Sequence, residues 1–264
     1  MLIVGNIFDA LDRWAPFSTA IEMDGFVDNV GLLIGNRNHE VNRVGIALDL
    51  TTSVIEQAIA QDIDLLISHH PVIFSPIKRI DFSSPIGLLT RHGIAAICAH
   101  TNLDGAKNGV SALLAEKAGL LDIQPLGDPK SPNDLSLARV GHLPSPMTTH
   151  DFSAMIRENL SAKAVQYNSG KTQKISTIAV CSGGGSSFLD AAIASGADAF
   201  LTGEVSHHHW LAAKEVGIAL ITAGHYVTEQ ICKKQIKNYL CNLFSDLSII
   251  CMIEQEPFFY SFAE

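Results

Sequence analysis

Residues 43–71 read RVGIALDLTTSVIEQAIAQDIDLLISHHP, and this stretch decides the fold. Arg43 to Leu48 is a short apolar run of the kind buried in a sheet, and Thr52 to Gln61 follows with helical spacing behind Thr51 or Thr52 as N-cap. Asp64 to Ser68 is a second apolar run, halted by His69-His70-Pro71. Strand, helix and strand in one short stretch make a βαβ unit, which requires a parallel pairing and a helix packed on the sheet.

Outward from this unit the alternation continues. Ser84 to His92 predicts a helix ended by Gly93, Ile94 to Ala99 a third strand, and Gly109 to Lys117 a helix closed by Gly119. Asp122 to Asn133, rich in Pro, Gly, Asp and Ser, is the expected linker. A short strand near Ala138 to His142, a helix over Asp151 to Leu160 and a strand at Val165 to Tyr167 come next. The pattern then restarts with strands at Ile175 to Cys181, Asp198 to Leu201 and Ile218 to Thr222. Helices over Phe188 to Ser195 and Ser206 to Val216 separate them, and a long helix over Thr228 to Phe244 follows.

The restart is an internal repeat. IALDLTTSVIEQAIAQDIDLLISHHP from Ile46 corresponds to IAVCSGGGSSFLDAAIASGADAFLTGEVSHH from Ile178, and Gly93-Ile94-Ala95 to Gly217-Ile218-Ala219. The expectation is an α/β protein of two halves, 1–124 and 125–264, with mixed or mostly parallel sheets flanked by helices.

Composition limits what such a protein does. The chain has 264 residues, 47% of them hydrophobic and 17% charged, which excludes a disordered or disulfide-framed chain. With 18 Lys and Arg against 27 Asp and Glu the net charge is -9, so no nucleic-acid partner is expected. No apolar run approaches the ~18 residues of a membrane span. The five cysteines show no CxxC pair, and MLIVGNIFDALDRW lacks the basic region of a secretory signal, so a cytoplasmic location is expected.

The chemistry lies in the histidines. His69, His70, His100 and His225 all fall at or just past the C-terminal ends of expected strands, the edge where open α/β sheets assemble ligand sites. His100 and Asp104 stand in HxxxD spacing and His225 and Glu229 in HxxxE spacing, which places imidazole and carboxylate on one helix face. One histidine at a strand end is ordinarily a surface residue; four, two of them with acid partners, are not. Four imidazoles and two carboxylates exceed the needs of one zinc ion and suit two divalent metals from among Zn, Mn, Fe, Ni and Co. Glu204 occupies the place of the His pair in the second repeat and is expected to face the same cleft as a base, an acceptor or an extra ligand. The triplet His207-His208-His209 cannot all face one ion and is expected outside the ligand set. Gly183-Gly184-Gly185 lacks both nucleotide-loop spacings and reads as a tight turn.

SHHPVIF from Ser68, AHTNLDGAKNGV from Ala99 and LTGEVSHHHWLAAKEVGIALITAGHYVTE from Leu201 also resemble the hallmark blocks of a known family. VDNVGLLIGN from Val27 and ARVGHL from Ala138 resemble its weaker blocks. It is the dinuclear-metal-centre hexameric family, whose bacterial members are YbgI-like and often named GTP cyclohydrolase I type 2. The resemblance implies two intertwined α/β halves in the compact form of the family, a homohexamer, and two divalent ions held by His69, His70, Asp104, His225 and Glu229, with His100 beside them. It also implies hydrolytic ring opening of GTP with formate release, and His100 or Glu204 is the expected proton shuttle. A two-metal hydrolase of another substrate such as a phosphoester, and a non-catalytic metal-binding assembly or regulatory protein, are the alternatives.

Overall fold

Two apolar strand triplets organise the protein, whose computed structural model describes residues 1–23, 26–127 and 136–261. In chain order the elements begin α1 (Val4–Trp14), β1 (Glu22–Met23), β2 (Phe26–Val27), β3 (Gly31–Ile34) and β4 (Arg43–Ala47). Next come α2 (Thr52–Ala60), β5 (Leu65–Ser68), α3 (Pro85–His92), β6 (Ala95–Cys98), α4 (Thr101–Gly105) and α5 (Val110–Lys117). β7 (Leu121–Pro125), β8 (Arg139–Met147), α6 (Thr149–Leu160), β9 (Gln166–Tyr167), β10 (Ile175–Cys181) and α7 (Leu189–Ala194) follow. The chain ends through β11 (Ala199–Thr202), α8 (His207–Val216), β12 (Ala219–Thr222), α9 (His225–Glu229), α10 (Ile231–Leu243) and β13 (Ser248–Cys251).

This is a mixed α/β fold with two main sheets flanked by helices, divided into two compact units. The first unit takes residues 1–103 and 232–255, and the second takes 104–231 and the stretch from Glu256. The repeat-based division at residue 124 therefore differs from the observed units: Asp104 to Gln124 pack in the second, and α10 with β13 return the chain to the first. The return rests on β13, which adds to β4 in parallel through Ile249 against Val44.

In the first unit the strand order is β13-β4-β5-β6-β3, with β4, β5, β6 and β13 parallel and β3 antiparallel to β6. Helices cover this sheet, so β5 and β6 are buried throughout and read as unbroken apolar runs rather than alternating ones. Local chemistry sets the helix ends. The Thr51 side chain accepts from the Val54 N–H to start α2; Ser84 does the same for Gly87, with Pro85 in the first turn of α3.

The second unit has the order β7-β8-β10-β11-β12-β9, and its β10-β11-β12 core is parallel. The repeat is visible in the topology: β3-β6-β5-β4 and β9-β12-β11-β10 have one order and one set of directions, each with an antiparallel strand beside the third parallel one. It extends to single hydrogen bonds. Asp64 Oδ2 accepts the N–H groups of Asn42 and Arg43, and Asp198 Oδ2 accepts those of Ser176 and Thr177. These bonds make Val44 the equivalent of Ile178, two residues from the sequence alignment of Ile46 with Ile178, so the same strand face is kept.

Three expected elements come out differently. Asp122 to Pro125 of the expected linker join Leu121 in the edge strand β7, where proline's missing N–H does no harm; residues 128–133 of that linker lie outside the described residues. The strand near Ala138 to His142 runs on to Met147. The single helix over Thr228 to Phe244 is two helices, α9 and α10, meeting at Gln230. The Thr228 hydroxyl turns back to the Gly224 and His225 carbonyls and accepts the Gly183 N–H, fixing a short first helix that the apolar spacing does not betray. Among the described residues, no helix is long and apolar enough to cross a membrane.

Candidate metal centre

In the first unit the C-terminal ends of β4, β5 and β6 deliver Asp49, His69 with His70, and His100. Adjacent strand residues normally point to opposite faces. Here the Ser68 hydroxyl donates to the His70 carbonyl at 2.8 Å and bends the chain, so both imidazoles serve one cluster. The three ring centroids stand 5.1, 5.2 and 5.4 Å apart, and one nitrogen from each ring lies within 4.8 Å of the others. His69 is fully buried and His100 nearly so.

Each ring is held by its Nδ1. His69 Nδ1 is 2.9 Å from the Ala99 carbonyl, His70 Nδ1 2.8 Å from Asp49 Oδ1, and His100 Nδ1 3.0 Å from Asp28 Oδ1. Carbonyl and carboxylate oxygens only accept, so the proton sits on Nδ1 and Nε2 is the lone-pair nitrogen, the tautomer that a metal requires. Burial pushes the Asp28 carboxyl up. The hydrogen bond from His100, with those from the Thr101 hydroxyl and N–H, outweighs that and holds it below the usual carboxylate range. Glu254, paired with Lys233 at 2.6 Å, accepts the Leu48 and Asp49 N–H groups and fixes the strand end that carries Asp49.

In the second unit the ends of β10, β11 and β12 deliver Ser182 with Gly183, Glu204, and His225, while α4 brings Asp104. Asp104 and Glu229 are both buried, with carboxylate oxygens within 4.8 Å of one another. Ser182 Oγ donates to Asp104 Oδ1 at 3.2 Å. His225 is bracketed: Nδ1 lies 2.9 Å from Glu204 Oε1 and Nε2 3.0 Å from Glu229 Oε2. A Cβ on Gly183, whose φ is +59°, would overlap Glu229 Oε1, so the glycine turn is shaped to the carboxylate rather than to a phosphate. Arg139, also buried, donates to the Gly105 and Ala106 carbonyls at 2.8 Å each and anchors the end of α4 just past Asp104. Burial, then the charges of Asp104 and Glu229, push the Cys181 thiol up, so it stays a neutral thiol.

Two carboxylates buried side by side favour a cation between them, and three oriented imidazoles suit transition metals such as zinc, copper, iron and nickel. The donor chemistry of both units therefore fits divalent metal ions.

The repeat explains this pairing and its one irregularity. His70 and Glu204 each stand two residues past equivalent strand ends, Ser68 and Thr202. His100 stands two past Cys98, but His225 stands three past Thr222, and Gly224 at φ +103° absorbs the extra residue. The His207-His208-His209 triplet begins α8, and no cluster of three metal-competent side chains among the described residues includes it. Sequence reasoning missed Asp28, Asp49, Ser182 and Arg139. Asp49 and Ser182 had a signal, their places just past β4 and β10; Asp28 and Arg139 act through long-range contacts that leave no local pattern.

Residues 2–257 match the model of the Duf34/NIF3 (NGG1p interacting factor 3) family. A relative from Methanocaldococcus jannaschii, named GTP cyclohydrolase 1 type 2 homolog, is 32% identical over 251 residues, covering 94% of this chain and 98% of its own. Among solved structures, hypothetical protein SA1388 of Staphylococcus aureus has a TM-score of 0.89 at 31% identity, covering 98% of this chain and 99% of its own. Protein ybgI has a TM-score of 0.82 at 23% identity, covering 97% of this chain and 100% of its own, which speaks to the fold.

Proposed function

The chain belongs to the Duf34/NIF3 family, and from that premise we propose that it is a dinuclear metal protein acting as a hydrolase of the GTP cyclohydrolase type. In this reading His69, His70, Asp104, His225 and Glu229 hold two divalent ions. The observation that carries it is the set of imidazoles locked by Nδ1 bonds, with Nε2 left as donor in His69, His70 and His100. Such ions, when bound, supply the charge that acidifies water and polarises the reacting group of a substrate. The side chains do the rest. Glu204 accepts from His225 Nδ1 and holds that ring's orientation; His100, braced by Asp28, is placed to take or give a proton at Nε2. The name carried by the relatives supports GTP as substrate, with water opening the guanine five-membered ring and formate leaving.

The test is incubation of Mn- or Zn-loaded protein with GTP, following formate and the loss of guanine absorbance. Formate release that disappears in Glu229→Gln is the expected result. Tight retention of two ions per chain without turnover of GTP or any phosphoester would replace the enzyme by a metal-binding partner protein. The family's description as an interacting factor favours that second reading.

A further inference from the structure

A second cleft, of about 360 Å³, opens within the second unit between α6 and the segment that leads from it to β9. His150, Ser153, Ala154 and Arg157 line one wall; their spacing of three, four and seven residues places them on one helix face. Lys163 and Tyr167 stand on the other wall. None of these residues belongs to the candidate metal centre.

The chemistry of the lining is unlike that of the chain as a whole. The protein carries a net charge of -9, yet the cleft presents Arg157, Lys163 and His150 with no carboxylate among its lining residues. Ser153 is only 4% exposed, and its hydroxyl finds no hydrogen-bond partner among the described residues. Buried hydroxyls in folded proteins are ordinarily satisfied, so this one marks a place where an acceptor or donor from outside the chain belongs. Lys163 is already engaged, 3.5 Å from Glu256 Oε2 and over the ring of Tyr260. Arg157 is exposed, and its guanidinium makes no ion pair or side-chain hydrogen bond among the described residues. At the other end His150 Nδ1 and the Tyr167 phenol lie 2.8 Å apart, which fixes the aromatic ring as a wall; with Nδ1 protonated, the phenol O–H is left to donate.

We propose that this cleft binds a small organic oxyanion: a carboxylate or phosphate on an apolar or aromatic body. The planar fork of Arg157 matches two oxygens of either group, and Ser153 supplies a buried hydroxyl beside it. Ala154 and the ring of Tyr167 offer apolar contact to the body, which an inorganic ion would leave unfilled.

Calorimetric titration of the full-length, metal-loaded protein with phenyl phosphate, benzoate and inorganic phosphate tests this. Phenyl phosphate or benzoate binds with a Kd on the order of 0.1 to 1 mM, and inorganic phosphate at least about tenfold more weakly. The stronger of the two organic probes identifies the headgroup. Arg157→Gln weakens that probe by roughly tenfold or more, as expected for loss of a charge-assisted bidentate contact, and Ser153→Ala weakens it by a smaller factor. Because Arg157 is exposed, the Gln variant keeps its melting temperature, and His225→Ala, altered at the metal centre, keeps the wild-type Kd. The proposal is overturned if neither organic probe binds, if Arg157→Gln binds as wild type does, or if His225→Ala abolishes binding.

Discussion

Asp49 and Asp28 each hold one imidazole in the tautomer that leaves Nε2 as the donor. Replacing either by Asn keeps the shape but removes the charge that makes the ring more basic. Loss of such a partner typically weakens metal binding by ~10–100-fold. Asp49→Asn and Asp28→Asn are therefore expected to lose metal to a competing chelator at concentrations the wild type withstands. They differ in the metal-free protein. Asp49 is half exposed, so its variant melts as wild type does, whereas Asp28 is buried in a hydrogen-bonded cluster with Thr101 and its variant melts lower. Unchanged chelator competition in both variants would remove these aspartates from the account. This is also where the sequence was least legible. The histidines stand out because apolar runs stop at them. Their aspartates are 21 and 72 residues away, joined only once the sheet has formed.

At the scale of elements, the strand ends do the positioning, and their glycines separate shape from site. Gly93 ends α3 at φ +67° with nothing within 4 Å of an added Cβ, while Gly183 at φ +59° is pressed against Glu229. Both positions disfavour a side chain by roughly 1–2 kcal/mol. Gly93→Ala is expected to lower the melting temperature by a few degrees and to keep full metal content. Gly183→Ala adds displacement of the Glu229 carboxylate and is expected to lose metal as well. Equal metal content in the two variants, measured by elemental analysis after dialysis, would mean that Glu229 is no ligand. The helix end at Gly93 and the caps at Thr51 and Ser84 were readable from sequence because their chemistry is local. The break at Gln230 was not, since it depends on Thr228 and Gly183 meeting across 45 residues.

At the scale of the whole molecule, the repeat gave each unit the same parallel triplet, and function is written in how the copies diverged. One copy ends its strands in imidazoles braced by acids and a carbonyl; the other ends them in acids around one imidazole. The βαβ pattern made the triplets legible. The return of α10 and β13 to the first unit was not, because a parallel strand added by a distant segment carries no mark of its partner. If ligands from both copies hold the same pair of ions, binding stabilises the native chain as one linked equilibrium. Free metal at 100 times its Kd adds about 2.7 kcal/mol per ion, about 5 kcal/mol for the pair, which for a chain of this size raises the melting temperature by roughly 10–20 °C. The gain shrinks as pH falls, because protons compete with metal for the ligand atoms. His70→Ala in the first unit and Glu229→Gln in the second are then each expected to abolish most of that gain, and the double variant to lose little more. Two separate centres would instead give additive losses: half the thermal gain and one ion per chain in each single variant, and neither in the double.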